Sequence, residues 1–335
     1  MISLGKKIIY GYSAFVVIWF LANRFIQDTW WGLVILDKFA EYFVLPAVLL
    51  PLILLFARKK RMLFSCVIPV LICAYFYAPF FFTVSSPESL PPGTGLRVAT
   101  FNIWNHNTAF TELAEIIRNS NTDVIALQEV TEVQREPLTD LISSTHPYYY
   151  ISKPVYGGTT ALFSRYKLDN IEEIDVDIDR PSIIADFLWN GSTITVISAH
   201  LNPSFWAYSN QPLLQIPGNY LQYIKDQNSQ ATAIIDEMNN RASAATFLAC
   251  DCNSQETAST NRLLRKHFQD TFRSLGWQSG TTDSPHLSYE RKLSHIDYIW
   301  FTGMAKPNAI FRSVESAGSD HDLLVAEYKI QHRDN

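Results

Sequence analysis

The chain has 335 residues, room for one large domain plus an accessory segment, and its hydrophobic 47% is concentrated in the first quarter. Residues 1–95 carry eight basic and four acidic side chains, leaving 19 basic against 28 acidic in 96–335, a formal charge of −9. That balance disfavours a long polyanion such as DNA, whose binding comes largely from Lys and Arg on phosphates, and four cysteines do not make a disulfide framework.

Three apolar stretches lead the chain: Ile8 to Ala22, Tyr42 to Ala57 with an extension back through Trp31, and Met62 to Thr83. Crossing the hydrocarbon core of a bilayer takes about 20 largely apolar residues. The third stretch fits, and the first two borrow interfacial flanks. Asp37 and Lys38 belong in the loop before the second stretch, because charge at mid-membrane is costly. No small-residue cleavage site follows the first stretch, so a removable signal peptide is disfavoured. The expectation is three transmembrane helices within residues 1–83. Lys6–Lys7 and Arg58–Arg61 both fall on the cytoplasmic side by the positive-inside rule, which sends the remainder out of the cytoplasm. This predicts a multi-pass protein of the cell (inner) membrane with an extracytoplasmic catalytic domain. Residues 84–95, rich in Pro, Ser and Gly, read as a linker. Cys66 and Cys73 read as packing residues of the apolar region.

From Leu96 onward, short β-rich runs alternate with helical spacing. LRVATFNIW, DVIALQEV, TALFSRY, STITVISAHL, ATFLACDCN, HIDYIWF and LLVAEYKI read as strands. Residues 108–120 and roughly 219–241 read as helices, giving a layered α/β domain over 96–335. Polar residues gather at the strand ends: Asn102, Glu129, His200, Asp251 with Asn253, Asp297, and Asp320 with His321. One such residue is ordinary solvation; six strand ends together are hard to read that way. Oxygen donors suit a hard cation such as Mg²⁺ (or Mn²⁺), and imidazoles add proton transfer and oxyanion support.

The ordered set TFNIW, LQEV, SAHL, ACDCN, HIDYIW and SDHDLLV resembles the endonuclease/exonuclease/phosphatase (DNase I-like) superfamily over nearly all of 96–330. With the apolar leader, the layout is similar to the membrane-anchored bacterial type. The resemblance implies a four-layer α/β sandwich with the site at one end of two packed sheets. It also implies roles. Glu129 is the principal metal ligand, with Asn102 and Asp320 on the metal side. Asp251 aligns the attacking water and Asn253 binds a phosphoryl oxygen. His321 is the imidazole at the scissile phosphate, oriented by Asp297, and His200 is a second active-site histidine.

Two departures stand out. Relatives usually read Gly-Asp-Phe-Asn where this chain has Cys250–Asp251–Cys252–Asn253. Residues two apart on a strand share a face, so both thiols are expected to pack as small buried hydrophobes, with a redox-sensitive pair as the sharper alternative. His295 stands where a basic residue is usual. His106, His146, His267, His286 and His332 read as surface or structural, Tyr148–Tyr150 as strand packing, and Asn190–Gly191 as a turn. No carboxylate is evident to orient His200. The aromatic, Pro-containing segment Asn202–Tyr220 is open between ordinary packing and contact with an acyl chain or the membrane interface.

The expected function is a membrane-anchored, divalent-metal-dependent phosphatase or phosphodiesterase acting outside the cytoplasm on phosphate esters, lipid-linked ones included. An exported nuclease and a catalytically inactive binding module are the alternatives, and the second is disfavoured because none of the core positions is missing. The sequence points to no protein partner.

Overall fold

A computed structural model describes residues 4–82, 88, 90–91, 93–155, 157–176, 180–203, 216–276, 295–313 and 315–331. The N-terminal helices are α1 (Leu4–Phe25), α2 (Trp31–Lys38), α3 (Ala40–Val44), α4 (Pro46–Phe56) and α5 (Lys60–Phe82). Among the described residues two helices, α1 and α5, are long and apolar enough to cross a membrane. The expected middle span is broken: α2 and the α3–α4 stretch meet at a bend of 71°, and only if they count together is there a third. The break falls at Lys38–Ala40, beside Asp37, whose carboxylate accepts from Trp19 Nε1 at 2.8 Å and Asn23 Nδ2 at 2.7 Å.

The region from Leu96 onward contains β1 (Leu96–Asn102), α6 (Phe110–Asn119), β2 (Val124–Val130), α7 (Glu132–Ile142), β3 (Tyr148–Ile151), β4 (Thr159–Ser164), β5 (Asp169–Ile174), β6 (Ser182–Trp189) and β7 (Ser192–His200). It continues with α8 (Ile216–Asn239), β8 (Ala245–Asp251), α9 (Ser259–Leu264), β9 (Gln269–Asp270), α10 (Thr271–Leu275), β10 (Asp297–Gly303), β11 (Ala305–Arg312) and β12 (Leu324–Ile330). The strands form two six-stranded mixed sheets, ordered β11-β12-β1-β2-β4-β3 and β5-β6-β7-β8-β10-β9.

Strand alternation explains the layering, since a period of two sends successive side chains to opposite faces. Val98, Val124 and Ala126 of the first sheet meet Val196, Phe247, Ala249 and Ile299 of the second in one central core. The opposite faces are apolar as well. Phe101, Ile125 and Phe163 pack under Leu113, Ile117 and Leu138 of α6 and α7. Ile197, Leu248 and Trp300 pack under Ala231, Ile234 and Leu264 of α8 and α9. Helices therefore cover both outer faces. Strands buried on both sides read as nearly continuous apolar runs, which is why they stood out in the sequence.

The helices at the N-terminus are docked on this domain. Asn23 Nδ2 donates to the Thr257 carbonyl at 3.0 Å, and Thr257 Oγ1 donates to the Asp37 carbonyl at 2.6 Å. Arg273 Nη1 donates to the Phe76 carbonyl at 2.7 Å. At the other end of the bundle Ile9 packs with Leu54, Met62 and Cys66. The Lys6–Lys7 and Arg58–Arg61 clusters thus share the end remote from the two-sheet domain. In the expected linker, the Glu88 backbone exchanges two hydrogen bonds with the Asn308 side chain, at 2.8 and 3.0 Å.

Two buried histidines are structural. His146 Nε2 lies 3.1 Å from the Thr122 carbonyl, so that nitrogen carries the proton, and Nδ1 accepts from Thr145 Oγ1 at 3.0 Å. Burial, then the charge of Arg165, pushes His146 down to about 4. Burial pushes His295, stacked 4.1 Å from Tyr298, down to about 3. Both rings stay neutral in the fold while the unfolded chain takes up protons below about 6.5, so stability falls with pH from there down to about 4 and 3. The unfolding midpoint is expected to drop between pH 7 and pH 4, and His146→Gln or His295→Gln should flatten that slope. A slope unchanged in both variants would show that these rings do not carry the acid sensitivity.

Candidate active site

Strand polarity brings the site together. β1 runs parallel to β2 and β7 parallel to β8, so Asn102, the Gln128–Glu129 end, His200 and Asp251 finish at one edge. β10 starts there in the antiparallel sense, with Asp297 directly opposite Asp251; His200 is opposite Asp251 on its other side. Alternation also sets the face. Asn102 shares parity with Val98, His200 with Val196, Asp251 with Phe247 and Asp297 with Ile299, all inner-face residues. The four side chains therefore point into the cleft between the sheets.

Glu129 breaks that rule. Ile125 and Leu127 face the outer helices, so regular alternation would turn Glu129 outwards too. A register shift between Leu127 and Val130 and a φ of +61° at Glu129 turn it inwards instead, a use of β-bulges known beside functional sites. Its Oε1 accepts from Asn102 Nδ2 at 3.1 Å and its Oε2 from Asn105 N at 3.0 Å. Gly158, at φ +90°, allows this: a Cβ there would stand 2.5 Å from the Glu129 carbonyl carbon.

The rest of the cluster is tightly tied. His321 Nδ1 donates to Asp297 Oδ2 at 2.8 Å, and its Nε2 lies 3.9 Å from Asp251 Oδ2. Asp251 Oδ2 accepts from Asn102 Nδ2 at 2.9 Å, and Oδ1 from Asn253 N at 3.0 Å. Asn102 Oδ1 accepts from Trp104 N at 3.0 Å, which aims its amide N–H groups at the two carboxylates. Asn253, in the left-handed region at φ +47°, donates from Nδ2 to the Leu201 carbonyl at 3.1 Å. Asp320 precedes His321 in the chain, ahead of β12 instead of within it. Ser319 fixes this turn: its Oγ donates to the Asn102 carbonyl at 2.7 Å and accepts from His321 N at 3.0 Å.

Electrostatics follow from burial. Asp251 is pushed up to about 8, first by loss of water, then by the charge of Asp297, with Glu129 adding to it and His321 opposing. His200 is held well below its ordinary value by burial, then by Arg180 and His321. Arg180 Nη1 lies 2.7 and 3.0 Å from the two ring nitrogens, and a guanidinium can only donate. The charged neighbour in hydrogen-bond reach of His200 is thus an arginine; Asp251 and Glu129 lie farther off, at 3.5 and 3.9 Å.

The donor set fits a divalent cation. Ligand atoms of Asp251, Asp297 and His321 lie within 4.8 Å of one another, and Glu129 and Asn102 adjoin them. Several carboxylates held together in a dry cleft need positive charge, and hard oxygen donors match Mg²⁺ or Mn²⁺.

Arg180, Gly158 and Ser319 escaped the sequence reading. Only Gly157–Gly158 left a trace, as a turn signal beside a strand. Cys250 and Cys252 are buried in the outer core as expected, but they are joined in a disulfide and not left as free thiols, because their Cα atoms approach to 5.1 Å where the strand ends. Cys66 and Cys73 are free and buried. Most of the Asn202–Tyr220 segment, with His286 and His332, lies outside the described residues. Tyr220 is buried with Ile224 against Val34 of α2.

A model of the Endonuclease/Exonuclease/phosphatase family matches residues 99–321. The chain belongs to that family. Its members are in general phosphoester hydrolases. Among solved structures it is similar to truncated TDP2 of Caenorhabditis elegans, 18% identical with a TM-score of 0.54 over 71% of this chain and 98% of that one. A family protein of Bacteroides vulgatus is 15% identical, TM-score 0.57, over 71% and 100%. TDP2 of D. rerio, complexed with a single-strand DNA product, is 16% identical, TM-score 0.56, over 70% and 99%. These likenesses speak to the fold. No curated protein matches the sequence.

Gly158→Ala is expected to cost about 1–3 kcal/mol of stability, because it combines a steric clash with a positive φ. Turnover should fall with it, since the Glu129 turn must shift. Thermal unfolding and a hydrolysis assay check this, and an unchanged variant would show that the bulge does not depend on the glycine.

Proposed function

We propose that the protein is a divalent-cation-dependent phosphoester hydrolase, anchored by its N-terminal helices with its cleft outside the cytoplasm, acting on lipid-linked phosphates. The observation that carries the chemistry is the Asp251–Asp297–His321 cluster with Glu129 beside it. When bound, Mg²⁺ or Mn²⁺ supplies Lewis-acid stabilisation of charge on phosphate oxygens. Glu129 would hold it, fixed by the Asn102 amide and the Asn105 N–H, with Asp320 adding charge.

The protein's own groups account for the remaining needs of in-line attack by water on phosphorus. With a cation offsetting the charges of Asp297 and Glu129, Asp251 would be ionised and would accept a proton from the attacking water, its Asn102 and Asn253 contacts locking the carboxylate in place. Asp297 takes the Nδ1–H of His321, which fixes the tautomer and aims Nε2 into the cleft. Neutral His200 and the Arg180 guanidinium offer hydrogen bonds and positive charge to non-bridging oxygens. Asn253 stands at the same edge for a phosphoryl oxygen.

Three features support the setting. Both basic clusters lie at the bundle end away from the catalytic domain, as the positive-inside rule asks of an outward-facing domain. A disulfide next to Asp251 suits an oxidising compartment. The charge of −9 over 96–335 favours small or lipid-borne phosphates over nucleic acid.

Purified full-length protein should hydrolyse phosphate esters with Mg²⁺ or Mn²⁺ and stop with EDTA. Glu129→Gln and Asp297→Asn should each lower kcat by about 100-fold or more, the scale of lost acid–base positioning. Plasmid nicking without turnover of any lipid phosphate would sink the lipid part and favour the nuclease. Separately, alkaline phosphatase fused after Gly95 should be active in cells, whereas a fluorescent reporter that matures only in the cytoplasm should stay dark. The opposite pattern would overturn the orientation.

A further inference from the structure

Between α3–α4, α5 and the loop after β8 lies a cavity of about 1020 Å³, at the top of the roughly 300–1,000 Å³ range of small-ligand sites. Its walls divide by polarity. Leu45, Leu49, Val70, Ala74, Ala78 and Phe81 make the helical part. Gln255, Glu256, Thr257 and His295 make the end formed by the catalytic domain. There, His295 Nε2 is buried without a hydrogen-bond partner among the described residues, a ring nitrogen whose N–H an ester oxygen can accept. Buried polar atoms left so are costly unless a ligand or water satisfies them.

The polar end adjoins the catalytic cleft. Gln255 is two residues from Asn253, and His295 two from Asp297. A smaller cavity shares Asp37, Lys38 and Gln255 with the large one and is itself lined by Asn253. The apolar end opens sideways, since Leu45, Leu49 and Phe81 are exposed on the outside of the bundle. Of the ionisable groups on the walls, Asp37 and Glu41 outnumber Lys38, and Glu256 is paired with Arg265 and Arg273, so nothing there draws a phosphate away from the cleft. What the cavity accepts is an uncharged chain whose polar end continues towards Asn253.

We propose that this cavity seats the hydrocarbon chain of the phosphate ester cut in the cleft, an assignment that rests on the hydrolase reading above. One chain, entering from the bilayer between α4 and α5, places its ester linkage at residues 255–257 and its phosphate at the Asp251–His321 edge. The anchor then forms half of the substrate site, and chain length becomes a determinant of specificity.

The test uses full-length protein in nanodiscs with Mg²⁺ and the series ethyl, octyl and hexadecyl p-nitrophenyl phosphate, reading nitrophenolate release. kcat/KM should rise from ethyl to hexadecyl by about tenfold or more, as burial of added methylenes implies. Ala74→Trp and Ala78→Trp, which fill the cavity, should remove that rise and leave ethyl turnover unchanged. A chain-length preference that survives in both variants overturns the proposal. Independently, hexadecyl phosphate with a diazirine near the chain end should label residues of 45–49 and 70–82. Label spread over the whole helical exterior, as surrounding lipid would give, also overturns it. Should none of the three esters be turned over, the hydrolase reading fails, and the site of labelling still decides the cavity.

Discussion

Two carboxylates that would repel each other, Asp251 and Asp297, stand on one rung of a sheet in a place that excludes water. This like-charge contact is the constraint around which the active site is organised. The cost shows in Asp251, whose proton is held up to about 8 by burial and by its neighbour. The fold offsets part of it with donors: the Asn102 amide and the Asn253 N–H reach Asp251, and the His321 ring reaches Asp297. What remains is a net demand for positive charge, which a divalent cation meets and which ordinary side chains packed into that space do not. The demand depends on register. A one-residue slip of β8 against β10 would turn Asp251 into the outer helix layer and dissolve the cluster.

Glu129 shows the same logic in the other sheet. A regular strand would have wasted it against α6 and α7. The chain instead accepts a bulge, a left-handed glutamate and a glycine pressed against its backbone. Left-handed φ values recur nearby, at Trp104 (+64°) and Asn253 (+47°). Local strain of this kind persists only where surrounding contacts over-determine it, and here those contacts are the site's own hydrogen bonds. The edge of the sandwich is therefore the least regular part of a fold whose interior is very regular.

Legibility in the sequence tracks this difference. The seven strands read from composition are all present, because strands apolar on both faces announce themselves. β5, β6, β9 and β11 were not read: β5 (DNIEEI) and β11 (AKPNAIFR) carry no long apolar run and β9 is two residues long, while β6 (SIIADFLW) has its apolar run interrupted by Asp186. Site residues at strand ends were legible as types and as an ordered set. Their partners were not: Arg180 and Ser319 come from connections between strands, where no periodicity singles out one arginine or serine. The Cys250–Cys252 bond was read only as the alternative to two free buried thiols, for another reason. Alternation does put both sulfurs on one face, but the approach of their Cα atoms depends on how the strand ends at Asn253. The broken middle helix reflects Asp37, whose two buried hydrogen-bond donors, Trp19 and Asn23, lie on α1 and are invisible to a window over one segment.

That same aspartate connects the N-terminal helices to the site. Asn23 holds the Asp37 carboxylate and the Thr257 carbonyl with one amide group, while Arg262 Nη1 donates to Asn23 Oδ1 at 2.5 Å. Thr257 lies four residues after Asn253, so the loop leaving the site is fixed from below by the helices. A flexible tether would let the cleft sample any height and tilt; buried polar contacts do not, because breaking them leaves unsatisfied groups on both sides. Glu256 adds a second fixation, pairing with Arg265 and Arg273 while Arg273 holds α5 through the Phe76 carbonyl. Buried polar contacts thus join the helices directly to the loop that leaves the cleft. On the proposed membrane reading, this arrangement would hold the site at a set distance from the apolar phase, where a phosphate carried by a hydrocarbon chain would be presented.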